Sequence, residues 1–181
     1  MRVITGTAKG TKLIAVKGMH TRPTTDKVKE AIFSILSTRV LVDKVLDLFA
    51  GTGALGIEAL SRGALSCVFV DNDRNSISVI KTNLEKTKLL NKGTVVQKDV
   101  FAYLDACKDK YDLVFMDPPY DKNFIQKSLS MLDINDIINE KGVIVCESSA
   151  DDIIEDRYHH FQIYREYLYG GTKITVFYAK G

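Results

Sequence analysis

Proline is scarce in this chain of 181 residues: there are three, and two of them are adjacent. Cysteine is equally scarce, and Cys67, Cys107 and Cys146 are widely spaced and odd in number. That excludes a disulfide framework, and the spacing matches no usual metal-ligand pattern, so buried thiols in a reducing cytoplasm are expected. No apolar run approaches the roughly 18 residues of a membrane span, and no signal peptide precedes the first strand-like segment. A cytoplasmic protein with no membrane partner is therefore expected. Histidine is limited to His20, His159 and His160, all in loop-like stretches with no role assigned. Repeats, low-complexity segments and long linkers are absent. What remains is ordinary for one globular domain, with 45% hydrophobic and 27% charged residues.

The two adjacent prolines stand in Asp117-Pro118-Pro119-Tyr120, directly after the apolar run Tyr111 to Met116. That run reads as a buried parallel strand. Two prolines in succession can neither continue the strand nor open a helix interior, because each lacks an amide donor and holds φ near −65°. The acid and the ring are thus held on a stiff loop at the carboxyl end of a strand, where open α/β sheets place their ligands. A carboxylate beside a flat ring suits the gripping of a planar base by its exocyclic amine. Amino-group methylation follows if a methyl-donor site exists elsewhere in the chain.

The pattern from Lys44 onward alternates strand and helix, which predicts a doubly wound parallel sheet of five strands. The strands fall at Val45 to Phe49, Cys67 to Val70, Thr94 to Gln97, Leu113 to Met116 and Val143 to Cys146. Helices are expected at Leu55 to Arg62, Arg74 to Lys88, around Ala102 to Leu104, and at Phe124 to Leu132. Two further strands, Phe161 to Leu168 and Lys173 to Tyr178, join through Gly170-Gly171 as an antiparallel hairpin, which departs from plain dinucleotide folds. Ahead of this unit, Arg2 to Lys17 reads as a small β-hairpin and Thr25 to Thr38 as a helix, with a threonine or Asp26 as N-cap. The division expected is an N-terminal extension over residues 1–40 and a catalytic domain over 41–181.

The net charge of +2 hides an asymmetry. From Met1 to Lys44 there are nine basic residues against three acidic ones, so that segment is +6 and the remainder −4. A basic appendage on a mildly acidic body is the footprint of a polyanionic partner. A solvated face without a ligand is the alternative on charge alone.

The donor site is sought in Asp47-Leu-Phe49-Ala50-Gly51-Thr52-Gly53-Ala-Leu-Gly56, which straddles the first strand and the following helix. Its glycines satisfy the G-x-G-x-x-G dinucleotide fingerprint. Asp47 argues for S-adenosylmethionine, since a carboxylate there repels a pyrophosphate but suits the ammonium of a methionine moiety. Asp71, followed by Asn72, closes the second strand and suits ribose hydroxyls; that role is shared with nicotinamide cofactors. Asp99, followed by Val100, closes the third strand and suits an adenine amino group.

With these residues in place, the chain resembles the class I, Rossmann-like S-adenosylmethionine-dependent methyltransferases from about Lys44 onward. Over almost its whole length it resembles more closely the RsmD-type family of bacterial ribosomal RNA methyltransferases. The residues carrying that match are Arg2-Val-Ile-Thr-Gly6, Arg22-Pro23-Thr24 with Val28 to Phe33, Leu46 to Gly56, Glu58 to Ala64, and Asp117 to Tyr120. Where the family often has arginine this chain has Lys9, Lys12, Lys27 and Lys29, and where it often has glutamate Asp71 stands. Lysine neutralises phosphate without the bidentate fork.

The resemblance implies a seven-stranded fold and methylation of the N2 amine of one guanine in small-subunit (16S) rRNA. It implies S-adenosylmethionine as donor, S-adenosylhomocysteine as product and no metal. The partner is then small-subunit rRNA or the assembling small subunit, met by a monomer. Asp117, Pro118, Pro119 and Tyr120 become the catalytic loop. Asp47, Phe49 to Gly53, Asp71, Asn72, Asp99 and Val100 become the donor site. Arg2, Lys9, Lys12, Arg22 and Thr24 become the RNA side. In outline, a guanine stacks on Tyr120 while Asp117 and the Pro118 carbonyl accept from its amine, and the methyl passes in line without a covalent intermediate. The competing readings are an adenine-N6 DNA or RNA methyltransferase and a non-enzymatic nucleic-acid-binding module. A cytosine-C5 enzyme is excluded, because its proline-cysteine loop is missing. A nicotinamide-dependent oxidoreductase leaves Asp117 to Tyr120 and the terminal hairpin unexplained.

Overall fold

Buried apolar strands fix the architecture in the computed structural model, which describes residues 1–18, 25–37, 42–119 and 122–181. Strands β1 (Lys44–Leu48), β2 (Ser66–Asp71), β3 (Gly93–Gln97), β4 (Tyr111–Met116) and β5 (Ile138–Ser149) pair in parallel. Strands β6 (Phe161–Tyr169) and β7 (Thr172–Ala179) are antiparallel to each other, and β7 is antiparallel to β5. The resulting seven-stranded sheet has the order β3-β2-β1-β4-β5-β7-β6. The chain reverses its winding direction between β1 and β4, so a crevice opens at the carboxyl ends of those two strands.

Alternation along each strand sends side chains to two helical layers. Val45, Phe69, Leu113, Phe115 and Val145 face α1 (Asp26–Leu36), α2 (Ala54–Ser61) and α3 (Arg74–Lys86) through Ile32, Phe33, Ile57, Leu60, Ile80 and Leu84. Leu46, Leu48, Val70, Val114, Met116 and Cys146 face α4 (Val100–Ala106) and α5 (Lys122–Ile134) through Val100, Leu104, Ile125, Leu129 and Leu132. Both faces are covered, which is why these strands read as apolar runs rather than as alternating ones. The three thiols are free and buried. Among the described residues no helix is long and apolar enough to cross a membrane.

Most elements fall where the sequence predicts, with longer ends. The helix expected at Ala102 to Leu104 runs from Val100 to Ala106, because Asp99 caps it by accepting from Ala102 N at 3.0 Å. Strand β5 extends well beyond Val143 to Cys146, since its amino end pairs across an irregularity at Tyr111/Leu113 and its carboxyl end pairs with β7 as far as Ser149. Thr25 is the cap of α1.

The N-terminal hairpin needs correction. Only one bridge forms, Arg2 to Lys12, although Val3 N donates to Thr11 O and Leu13 N to Met1 O. The second arm leaves the first because Ile14 is captured by Asn83 of α3. Its amide donates to Asn83 Oδ1 at 2.7 Å, and its carbonyl accepts from Nδ2 at 3.1 Å. The turn of the arm lies on the end of α2, where Thr7 N donates to Ser61 O and Ala8 N to Ser61 Oγ. Gly6 makes this possible: its φ is +91°, and a Cβ there would lie 1.8 Å from the Ser61 carbonyl oxygen.

Lys29 is a second correction. Grouped by sequence with the candidate phosphate contacts, it is wholly buried, donating to the Arg2 carbonyl at 2.5 Å and lying 3.3 Å from Glu58 Oε2. Burial lowers its pKa, and Glu58 opposes that shift. Glu58 is also fully buried and accepts from Ile4 N, Thr5 N and Arg62 Nε. This pair ties the N-terminal segment, α1 and α2 together.

Candidate active site

Sheet register assembles the site. Leu48 lies opposite Val70 and Met116, and Met116 lies opposite Cys146. Just beyond that level, Phe49 and Asp117, the residues directly after β1 and β4, form a row along the cavity with Asp71 of β2 and Glu147 of β5. Asp47 lies one pleat below. All five line one cavity of about 380 Å³.

The glycine loop after β1 turns sharply into α2. Gly51 and Gly53 adopt φ of +57° and +77°, and Phe49 adopts +56°, a strained value for an aromatic residue. Ala50, Gly51 and Thr52 line the cavity, as do Asn72 and Val100. Gly53 does not; it is the N-cap of α2, and its Cβ would press on Ile80 and Phe69 at 3.3 Å. Gly53 supplies no capping side chain and Asp47 takes only the Gly56 amide, so the amides of Ala54 and Leu55 are left as donors at the cavity wall.

The three acids expected to hold the donor are fixed differently. Asp47 is 3% exposed, and its Oδ2 accepts from Gly56 N at 3.0 Å. Burial pushes its pKa up to about 8, opposed by the Gly56 bond and aided by the charge of Asp71. Asp71 accepts from Gly51 N through Oδ2 and from Asp73 N through Oδ1, each at 2.9 Å. Burial also raises its pKa, against those amide bonds. Asp99 lines the cavity while capping α4, which fixes its carboxylate at the rim.

Beyond these, Asp117, buried Pro118 and exposed Pro119 line the cavity on the β4 side. Tyr120, Arg22 and Thr24 lie outside the described residues. Arg2, Lys9 and Lys12 do not reach the cavity; all three are exposed on the N-terminal arm, and Arg2 lies 3.6 Å from Asp26.

Several cavity residues escaped the sequence reading. Phe101 and Phe124 form an aromatic wall with Phe49: Phe49 stacks on Phe124 with centroids 6.0 Å apart, and Phe101 meets Phe124 edge-on at 5.4 Å. Their signal was faint, one lying two residues after Asp99 and the other at the start of α5. Met1, Ala15 and Val16 bring the N-terminal arm to the cavity. Asn83 stands behind that wall, fully buried, and its Nδ2 also donates to Thr52 O at 3.0 Å. One amide thus joins the arm to the glycine loop. Among the described residues no group of three or more metal-ligating side chains occurs.

The family described as conserved hypothetical protein 95 matches residues 1–178. The chain belongs to that family, the RsmD-type methyltransferases. This RsmD-type chain is 38% identical to YlbH of Bacillus subtilis over 184 residues, covering 100% of both chains. It is 31% identical to the ribosomal RNA small subunit methyltransferase D of Escherichia coli (strain K12) over 177 residues, covering 98% of this chain and 89% of that one. Among solved structures it is similar to the Escherichia coli protein YhhF, with a TM-score of 0.85 at 32% identity, covering 100% of this chain and 98% of that one.

Proposed function

We propose that this RsmD-type protein transfers a methyl group from S-adenosylmethionine to the N2 amine of one guanine in small-subunit ribosomal RNA. The observation that carries the reading is one cavity running from buried Asp47 and Asp71 to Asp117-Pro118-Pro119. The residues fit the donor. Asp47, buried and with no cation paired to it among the described residues, matches an ammonium. The amino end of α2 matches a carboxylate. Asp71 offers acceptors to ribose hydroxyls, and Phe101 with Phe124 offers an apolar wall to adenine beside Asp99. When bound, the donor supplies an electrophilic methyl on a sulfonium.

Asp117 accepts one amine proton and the Pro118 carbonyl the other. That aims the nitrogen lone pair at the methyl and opposes its delocalisation into the purine. The donor would give up its methyl to the aimed lone pair and leave as a neutral thioether, and Asp117 or water would take the surplus proton of the amine. Positioning of this kind supplies roughly 7–11 kcal/mol in well-oriented intramolecular reactions. On the outer side, exposed Lys9, Lys12 and Arg2 neutralise RNA phosphates.

Tritiated methyl transfer is measured onto immature small subunits, naked rRNA and DNA. The reading requires label in RNA, recovered as N2-methylguanosine. Label confined to DNA, or recovered as N6-methyladenosine, overturns it.

The donor site gives a pH dependence. Asp47 has a folded pKa above its unfolded value of about 3.9. The folded protein therefore holds a proton there, between about pH 4 and pH 8, that the unfolded chain does not. Without donor, stability falls as pH rises through that window. Donor affinity moves the other way, because an ammonium pairs only with the ionised carboxylate. The dissociation constant is expected to fall about tenfold per pH unit from pH 6 and to level off above 8. Calorimetric titration checks this, and a flat profile in the wild type would contradict it.

Asn83→Asp keeps the shape and the acceptor for Ile14 N but loses both donors, leaving the Thr52 and Ile14 carbonyls unmatched. Both bonds are part-buried, so each lost partner costs about 1 kcal/mol, the low end of the range for an unmatched group. A donor affinity lowered about tenfold or more, read by the same titration, is the expected result; an unchanged value would refute the linkage of arm and loop.

A further inference from the structure

A second cavity, of about 230 Å³, lies between the start of α1 and the β6–β7 turn, with walls that include Lys27, Val28, Tyr169 and Thr172. Glu147 lines this cavity and the donor cavity as well. It stands next to Asp117 in register, one step beyond the Met116–Cys146 pair, and opposite Ile174 of β7. The charges of Asp117 and Glu147 both act on the Cys146 thiol between their strands, adding to the burial that raises it. Asp117 thus borders the donor, and its neighbour on the next strand borders the second cavity.

We infer that the second cavity receives the target guanine and that Glu147 determines the choice of guanine by accepting its N1–H. This rests on the guanine-N2 reading above and adds a residue to it. On the Watson–Crick edge of guanine the N1–H donor lies beside the N2 amine. Adenine presents a bare N1 acceptor at that position. An ionised carboxylate is acceptor-only, so it matches N1–H and opposes an N1 lone pair. With Asp117 on the amine, a second carboxylate one strand over meets the adjoining N1–H. The other walls fit a nucleotide too. Tyr169 is half-buried and offers a ring to the base, while exposed Lys27 lies at the rim where the phosphate would pass.

The probe is 2-aminopurine, which keeps the 2-amine but has a bare N1. Nucleoside analysis of wild-type product first maps the modified guanine. Small subunits are then reconstituted with 2-aminopurine or guanine at that position, and kcat/KM is compared. Wild type is expected to prefer guanine by about a hundredfold or more, as sites built around a substrate N–H reject analogues lacking it. Glu147→Gln, whose amide can donate to a bare N1, is expected to lose most activity on guanine and gain on 2-aminopurine. The preference should collapse to within about tenfold, a larger change than any in donor affinity read by calorimetry. A structural role for Glu147 would lower both activities together.

Unaltered discrimination in Glu147→Gln overturns the inference, as does wild type accepting 2-aminopurine as readily as guanine. The latter measurement needs no variant and stands even if the substitution misfolds. If wild type methylates no guanine in the small subunit, the functional reading itself fails. Those outcomes are distinct.

Discussion

Replacing Asp117 with alanine is expected to lower kcat about a thousandfold while leaving the donor dissociation constant within about twofold of wild type. The split follows from the layout of the cavity. Asp47 and Asp71 sit on β1 and β2 with their own amide partners, and neither depends on Asp117. Asp117 is the group proposed to touch the reacting amine. Losing one preorganised hydrogen-bonding group at a reacting centre typically costs about 2.7–4 kcal/mol in the barrier. Asp117→Asn keeps an acceptor oxygen but loses the charge and is expected to fall in between. Single-turnover transfer to immature small subunits reads the barrier, and calorimetry reads the donor. If Asp117→Ala turned over at the wild-type rate, the loop would not be the catalytic one.

The largest effect on stability is expected at Glu58. Its carboxylate takes two backbone amides from the N-terminal arm, the guanidinium of Arg62 and the ammonium of Lys29, and both Glu58 and Lys29 are fully buried. Glu58→Ala leaves Lys29 as an uncompensated buried charge and two amides without acceptors. Breaking a buried pair in this way costs about 3–5 kcal/mol. For a chain of this size each kcal/mol moves Tm by about 2–4 °C, so a drop on the order of 10 °C is expected. Denaturant unfolding measures the loss, and amide exchange at Ile4 and Thr5 should accelerate first. Adding Lys29→Met to Glu58→Leu should restore much of the loss, since an apolar replacement of similar volume removes the stranded charge. A Glu58→Ala midpoint within a degree of wild type would refute this account.

How far the sequence reaches is visible residue by residue. Asp71 and Asp117 are legible because one closes an apolar strand and the other directly follows one, and Asp47 because it sits one residue before the end of β1, just ahead of the glycine loop; strand ends are where such sheets hold ligands. The hairpin of β6 and β7 is legible because Gly170-Gly171 marks its turn. Lys29, which the resemblance groups with Lys9, Lys12 and Lys27, is set apart by its position: it lies three and four residues before Ile32 and Phe33, on the buried side of α1. A lysine in that stripe should prompt a search for its carboxylate, here 29 positions away at Glu58. Asn83 and Glu147 were not legible, since their importance rests on partners distant in the chain and on strand register. The single-bridge hairpin failed for the same reason. Local alternation cannot reveal that a side chain on α3 will take the backbone of Ile14.

The row of Phe49, Asp71, Asp117 and Glu147 draws on four neighbouring strands, with Asp71 and Glu147 inside theirs and Phe49 and Asp117 one residue after theirs. A slip of one residue in any of them would send its member to the opposite face of the sheet. The slipped sheet would still bury apolar residues on both sides, because these strands are apolar on both faces. Hydrophobic burial therefore discriminates weakly between the native register and its neighbours, whereas the row discriminates sharply. Methyl transfer then serves as an assay of strand alignment, able to report a misregistered sheet that circular dichroism would pass as folded.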